Sequence, residues 1–155
     1  MSSLMLAGAY SDREKAAETA VRTGGINLAA TSAETNHLPF ASLVLAVTDE
    51  LDLFVSDADA GSYLVCERPI KNTPLLQLSL ESRPGSIGIF TMVANASLGA
   101  RESDQHWRDN HAPLALEVHT AMTHYYQLSV LQRFNGPVWN GFALCCFRNE
   151  DDLRN

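Results

Sequence analysis

The stretch ASLVLAVTDELDL, residues 41–53, lines up without gaps on GFALCCFRNEDDL, residues 141–153. In each copy an apolar run is followed by Asp49 or Asn149, then Glu50 or Glu150, then Asp52-Leu53 or Asp152-Leu153. The first run is apolar without strict alternation, which is the pattern of a strand covered on both faces, and the second is another apolar strand. Each passes through a capping residue into an acidic first helical turn. The same short strand–cap–helix unit, recurring at a distance of 100 residues, implies a chain built twice on one plan.

Upstream of each copy the order of elements is also shared. Ser3 to Tyr10 (SLMLAGAY) reads as a strand. Ser11 then stands as the N-cap of a helix over about Asp12 to Arg22, with Glu14 as its capping-box partner and Gly24-Gly25 as the stop. Ile26 to Thr31 is a weaker strand, and His37-Leu38-Pro39 interrupts it. Ala41 to Val47 is the strong strand, Asp49 to Ser56 a short helix and Tyr63 to Glu67 a further strand. Pro69, Pro74 and Pro84-Gly85 punctuate a connection in which Leu75 to Leu80 reads as a short strand. Ile87 to Val93 opens the second series. A long helix over Arg101 to Thr120 follows, then the strands Tyr125 to Arg133 and Gly141 to Phe147, with a turn at Asn135-Gly136-Pro137.

The implied fold class is α+β: two β-α-β-β-α-β, ferredoxin-like modules with antiparallel sheets. The first module covers residues 1–74, the connection 75–85 and the second module 86–155. The second copy stops at Asn155 within its last helix, so it lacks a last strand, and the expectation is that the natural chain continues.

Composition narrows the function classes. With 46% hydrophobic and 19% charged residues the chain reads as a folded globule. A net charge of −7 with no basic stripe argues against a nucleic-acid partner and against an anionic membrane surface. No basic leader and no membrane-spanning apolar run are visible, so the expected location is cytoplasmic. Three cysteines, Cys66 and the adjacent Cys145-Cys146, fit reduced core thiols, since neighbours in a strand point to opposite faces.

Chemistry concentrates in His106-Trp107-Arg108-Asp109-Asn110-His111-Ala112-Pro113-Leu114. Pro113 lies inside the long helix, where it removes a donor and clashes with the preceding turn. In a regular helix Trp107, His111, Leu114 and Val118 share one face at spacings of four, three and four. That face carries one imidazole into an apolar setting. His111 is therefore either a general acid or base, titrating near 6.5, or the partner of a carbonyl freed by Pro113. His106 is left to the surface. His106, His111, His119 and His124 are spaced five, eight and five, which offers no i, i+4 pair for zinc, so no metal site is expected. Dinucleotide, phosphate-loop and serine-elbow motifs are missing, and no cofactor is implied.

The run WRDNHAPLAL followed by MTHYYQ resembles the EthD-like family of dimeric α+β barrel proteins. Trp107, His111, Pro113 and Leu114 match that family's helix pattern, and Tyr125 with Gln127 match its second strand. Ser103 stands where the family has a large aromatic residue, and the first module has no such motif. The resemblance implies sheets packed as a barrel, with one chain supplying both halves, and a homodimer as the usual assembly. It implies a small hydrophobic or aromatic ligand between sheet and helix. By that match Tyr125 faces the cavity and donates to a developing oxyanion, with Trp107, Asn110, Leu114, His124 and Gln127 around the ligand. The expected activity is a cofactor-independent lyase, dehydratase, cyclase or isomerase acting on an aromatic or polyketide-like carbonyl compound. The alternative is a non-catalytic binding or accessory protein.

Overall fold

A computed structural model describes residues 3–30 and 39–154. The chain runs β1 (Ser3–Tyr10), α1 (Arg13–Thr23), β2 (Ile26–Ala29), β3 (Ser42–Ala46), α2 (Leu51–Asp57) and β4 (Gly61–Lys71). It continues through β5 (Ser86–Met92), α3 (Ala100–His106), a π-turn (Trp107–His111), α4 (Ala112–Val118), β6 (Met122–Asn135), β7 (Gly141–Phe147) and α5 (Glu150–Arg154). The class is α+β, and every strand pair with a described register is antiparallel. No described helix is long and apolar enough to cross a membrane.

The residues form two compact units. One comprises Leu4–Cys66 with Val130–Val138; the other comprises Glu67–Ser129 with Trp139–Asn155 and Met1–Ser3. Strands β4 and β6 are thus each divided between the units.

In the first unit the strands are ordered β2-β3-β1-β4. Leu6 and Tyr10 of β1 and Val44 and Ala46 of β3 alternate onto one face. There they meet Ala16 and Ala20 of α1, and Phe54 and Ala58 from α2 and its end. Two alanines on the buried stripe of α1 let that helix lie close to the sheet. Gly8 is required for a similar reason, since a Cβ there would stand 2.7 Å from the Phe54 ring. All five residues of β3 are buried, as its continuous apolar run implies. The cap of α1 differs from expectation: Asp12, not Ser11, accepts from the backbone N–H groups of Glu14 and Lys15. A carboxylate is the stronger acceptor at a positive helix end. The expected stop at Gly24 is present, in the left-handed conformation at φ 67°. The interruption at His37-Leu38 and the end of the second strand at Thr31 lie outside the described residues.

In the second unit the order is β4-β6-β7-β5. Pro69 does not end β4, which runs on to Lys71. The strand expected over Leu75 to Leu80 is replaced by two single 3-10 turns, Leu75–Gln77 and Leu80–Ser82, the second closed by Ser79 and Ser82 bonding one another. Serine hydroxyls satisfy the local backbone there and leave it no need of a ladder. Ala112 and Ala115 of α4 pack on Met122, Tyr125 and Phe147. The two repeated strands occupy matching places, β3 between β2 and β1, and β7 between β6 and β5. Cys145 and Cys146 are free and face opposite ways. Burial pushes their thiols up to about 11 and about 12, so both stay protonated and unreactive at neutral pH.

Candidate functional site

The site is built on the interrupted helix of the second unit. Pro113 has no N–H and its ring crowds the carbonyl one turn back, so a regular α-helix cannot pass through it unchanged. The chain answers with a π-turn over Trp107–His111, in which the Ala112 N–H reaches the Trp107 carbonyl five residues back. Pro113 then sits in the first turn of α4, where a missing donor costs nothing. One extra residue in the turn rotates everything after it. The buried face is therefore Trp107, Ala112 and Ala115, not Trp107, His111, Leu114 and Val118. Leu114 and Val118 are 54% and 63% exposed, and His111 is exposed as well, so the dry setting expected for that imidazole is not found.

The same rotation has a second result. His106 and His111, five residues apart, line one open groove between the helix and the sheet. Its volume is about 290 Å³. Ser103, His106, Trp107 and His111 form the helix wall, while Phe90, Thr91 and Met92 of β5 and Ala143 of β7 form the sheet wall. In a π-turn, whose bond runs from i to i+5, positions i and i+5 fall near one another, whereas in an α-helix they diverge. Trp107 is 4% exposed and forms the floor. Its ring lies over Gly141, where a Cβ would come within 2.5 Å of it. Asn110 Nδ2 lies 3.0 Å from His106 Nδ1. An amide NH₂ only donates, so this placement makes Nδ1 the acceptor and leaves the proton of the neutral ring on Nε2. Arg108 and Asp109 bond each other at 2.8 Å on the exposed side.

Behind the groove lies a partly buried polar network. Arg68 of β4 donates through Nη1 and Nη2 to the two oxygens of Asp104, at 2.8 and 3.0 Å. It also donates through Nε and Nη2 to Gln127 Oε1, at 3.1 and 2.8 Å. Its guanidinium carbon is 5.3 Å from the centre of the Trp107 ring, a cation–π distance. Ser129 adds a bond to Asp104 Oδ1 at 2.9 Å. Burial pushes the Asp104 carboxyl up, but hydrogen bonds from Arg68 and Ser129 and the nearby guanidinium charge outweigh it, and the group titrates below its ordinary range. Only the charged strand residue Arg68 and the acid one turn before Trp107 hinted at this pairing, and nothing in the sequence joins them.

The predicted site residues divide accordingly. His111 and Trp107 line the groove, and Asn110 reaches it through His106. Leu114 points away. Tyr125 is 1% exposed and is not among the groove residues; its hydroxyl accepts from Gln127 Nε2 at 3.2 Å, and burial raises its phenol above the usual value. Gln127 is fully buried. His124 is 5% exposed and held at both ring nitrogens, by Thr123 Oγ1 at 2.8 Å and the Ser82 carbonyl at 2.9 Å. The carbonyl can only accept, so Nε2 carries the proton. Burial lowers the His124 titration below its usual value and keeps the ring neutral. The structure therefore joins His111 to His106 rather than to Tyr125. Among the described residues no group of three or more His, Cys, Asp or Glu side chains is placed to hold a metal ion.

No family model, curated protein or solved structure matches this chain.

Proposed function

We propose that the groove binds a small, flat carbonyl compound and that its two imidazoles move a proton on it without a cofactor. The observation that carries this reading is the placing of His106 and His111 on one wall of a mostly apolar groove. His111 serves as the general base, a role worth roughly 10² to 10⁴ in rate. His106, with its proton on Nε2, donates to the oxygen on which charge develops. It takes the part that the family resemblance implied for Tyr125, which is 1% exposed and does not line the groove. Phe90, Met92 and Trp107 supply the flat apolar contact. The reactions open to such a pair are enolisation and the dehydrations, cyclisations and isomerisations that follow from it.

The wider reading is an EthD-like protein with two ferredoxin-like modules in a pseudo-dimeric barrel, able to pair with a second copy. The order β-α-β-β-α-β with strands β2-β3-β1-β4 supports this, as does the equivalent order β6-β7-β5. A non-catalytic ligand carrier is the second reading, favoured by the exposure of both imidazoles, which leaves them in contact with water.

The test is deuterium uptake from D₂O into the α-carbons of acetophenone and related aryl ketones, followed by proton NMR. Uptake above the buffer rate that falls in His111→Ala and His106→Gln, with the fold intact, is the expected result. Binding of the ketones with uptake equal to buffer supports the carrier; uptake unchanged in both variants sinks the two-histidine mechanism.

A further inference from the structure

We infer that Gln127, clamped by Arg68, is the positioning residue that holds the π-turn and so keeps His106 and His111 on one groove. The Gln127 amide uses every hydrogen-bonding position it has. Its oxygen accepts twice, from Arg68 Nε and Nη2. Its NH₂ donates once to the Trp107 carbonyl at 3.1 Å and once to the Tyr125 hydroxyl at 3.2 Å. A guanidinium has only donors and a peptide carbonyl has only acceptors, so the amide can sit in one orientation alone. The Trp107 carbonyl is the acceptor that closes the π-turn, through the Ala112 N–H. Gln127 thus binds the second lone pair of a carbonyl that closes the bulge.

The clamp reaches the helix from both sides of that carbonyl. Arg68 fixes the amide, carries the Trp107 ring and grips Asp104 three residues before it. A π-turn is intrinsically less favourable than an α-turn and persists where surrounding contacts fix it. Pro113 makes a regular helix costly but does not choose which carbonyl takes the extra residue; the Gln127 amide does. If the bulge moved, the residues on its two sides would rotate relative to one another, and the two imidazoles would part. This inference rests on the proposed site for its consequence, but its geometry is read without turnover.

The test uses the full chain labelled with ¹⁵N and ¹³C, in wild type and in Gln127→Met, Gln127→Glu and Arg68→Lys. Histidine ring resonances and the exchange rate of the Ala112 amide are measured at neutral pH. Methionine fills the space without donating, and an ionised glutamate keeps the Arg68 contact without a donor for the Trp107 carbonyl. In both variants the His106 and His111 rings are expected to shift together and Ala112 to exchange about tenfold faster or more, the loss of one buried hydrogen bond. The His124 ring, held by Thr123 and Ser82, is expected to stay in place. Lost stability with unmoved His106 and His111 resonances would make Gln127 a packing residue and overturn the proposal. Should the Gln127 variants fail to fold, Arg68→Lys decides it by the same resonances, since lysine keeps the charge on Asp104 but cannot hold the amide bidentately. Rings that shift in a protein with no wild-type deuterium uptake would end the enzymatic reading and leave the clamp standing.

Discussion

Replacing Asp104 by alanine strips the Arg68 guanidinium of its counter-ion. The two side chains are 13% and 30% exposed, with N–O distances of 2.8 and 3.0 Å. Exposed pairs are worth about 0–1 kcal/mol, and breaking a fully buried pair costs about 3–5 kcal/mol. This pair lies between those limits, so Asp104→Ala is expected to cost about 2 kcal/mol, or about 4–8 °C in Tm for a chain of this size. A cycle of Asp104→Ala, Arg68→Met and the double variant, followed by urea unfolding at pH 7, should give a coupling of about 1–2 kcal/mol. The pH dependence supplies an independent reading. The folded carboxyl titrates below its ordinary value, so its contribution is complete above about pH 4 and is lost as pH falls through the folded value. Wild type should thus lose stability in that acid range more steeply than Asp104→Ala. A coupling under about 0.5 kcal/mol, together with parallel acid limbs, would refute the view that this pair ties α3 to the sheet.

Two further outcomes bear on the same unit. Gly141→Ala places a methyl 2.5 Å from the Trp107 ring and 3.0 Å from the Leu128 carbonyl; the expected cost is about 1–3 kcal/mol, with a change in tryptophan emission. Unaltered urea midpoint and emission would mean that the ring does not lie there. His124 is held neutral with its titration lowered, so the unfolded state takes up a proton first as pH falls below about 6.5. Stability should decline from that point toward the lower folded value, and His124→Gln should flatten this limb in a pH series of thermal melts. A limb unchanged in the variant would assign it to another group.

The site residues show where sequence reasoning reached and where it stopped. Pro113 announced a disturbed helix, because a ring closed on the backbone nitrogen acts locally. The form of the disturbance was not legible, since a kink and a π-turn both accommodate a proline. That single residue of phase decided which imidazole setting is real: His111 moved out to an open groove, and His106 moved into it. Tyr125 and Gln127 were legible as strand residues, and only the family resemblance turned them toward a cavity. The bond between Gln127 and Arg68, 59 positions away, was not legible.

By itself the sequence determined the elements whose causes are local. These are the apolar runs of β1, β3 and β7, the helix stop at Gly24, the repeat that puts β3 and β7 in matching places, and the break before Pro113. Only the tertiary structure decided what the break became, because a kink and a π-turn both accommodate the proline locally and the choice falls to distant partners. Here those partners are the Gln127 amide on the Trp107 carbonyl and the Arg68 guanidinium beneath the Trp107 ring.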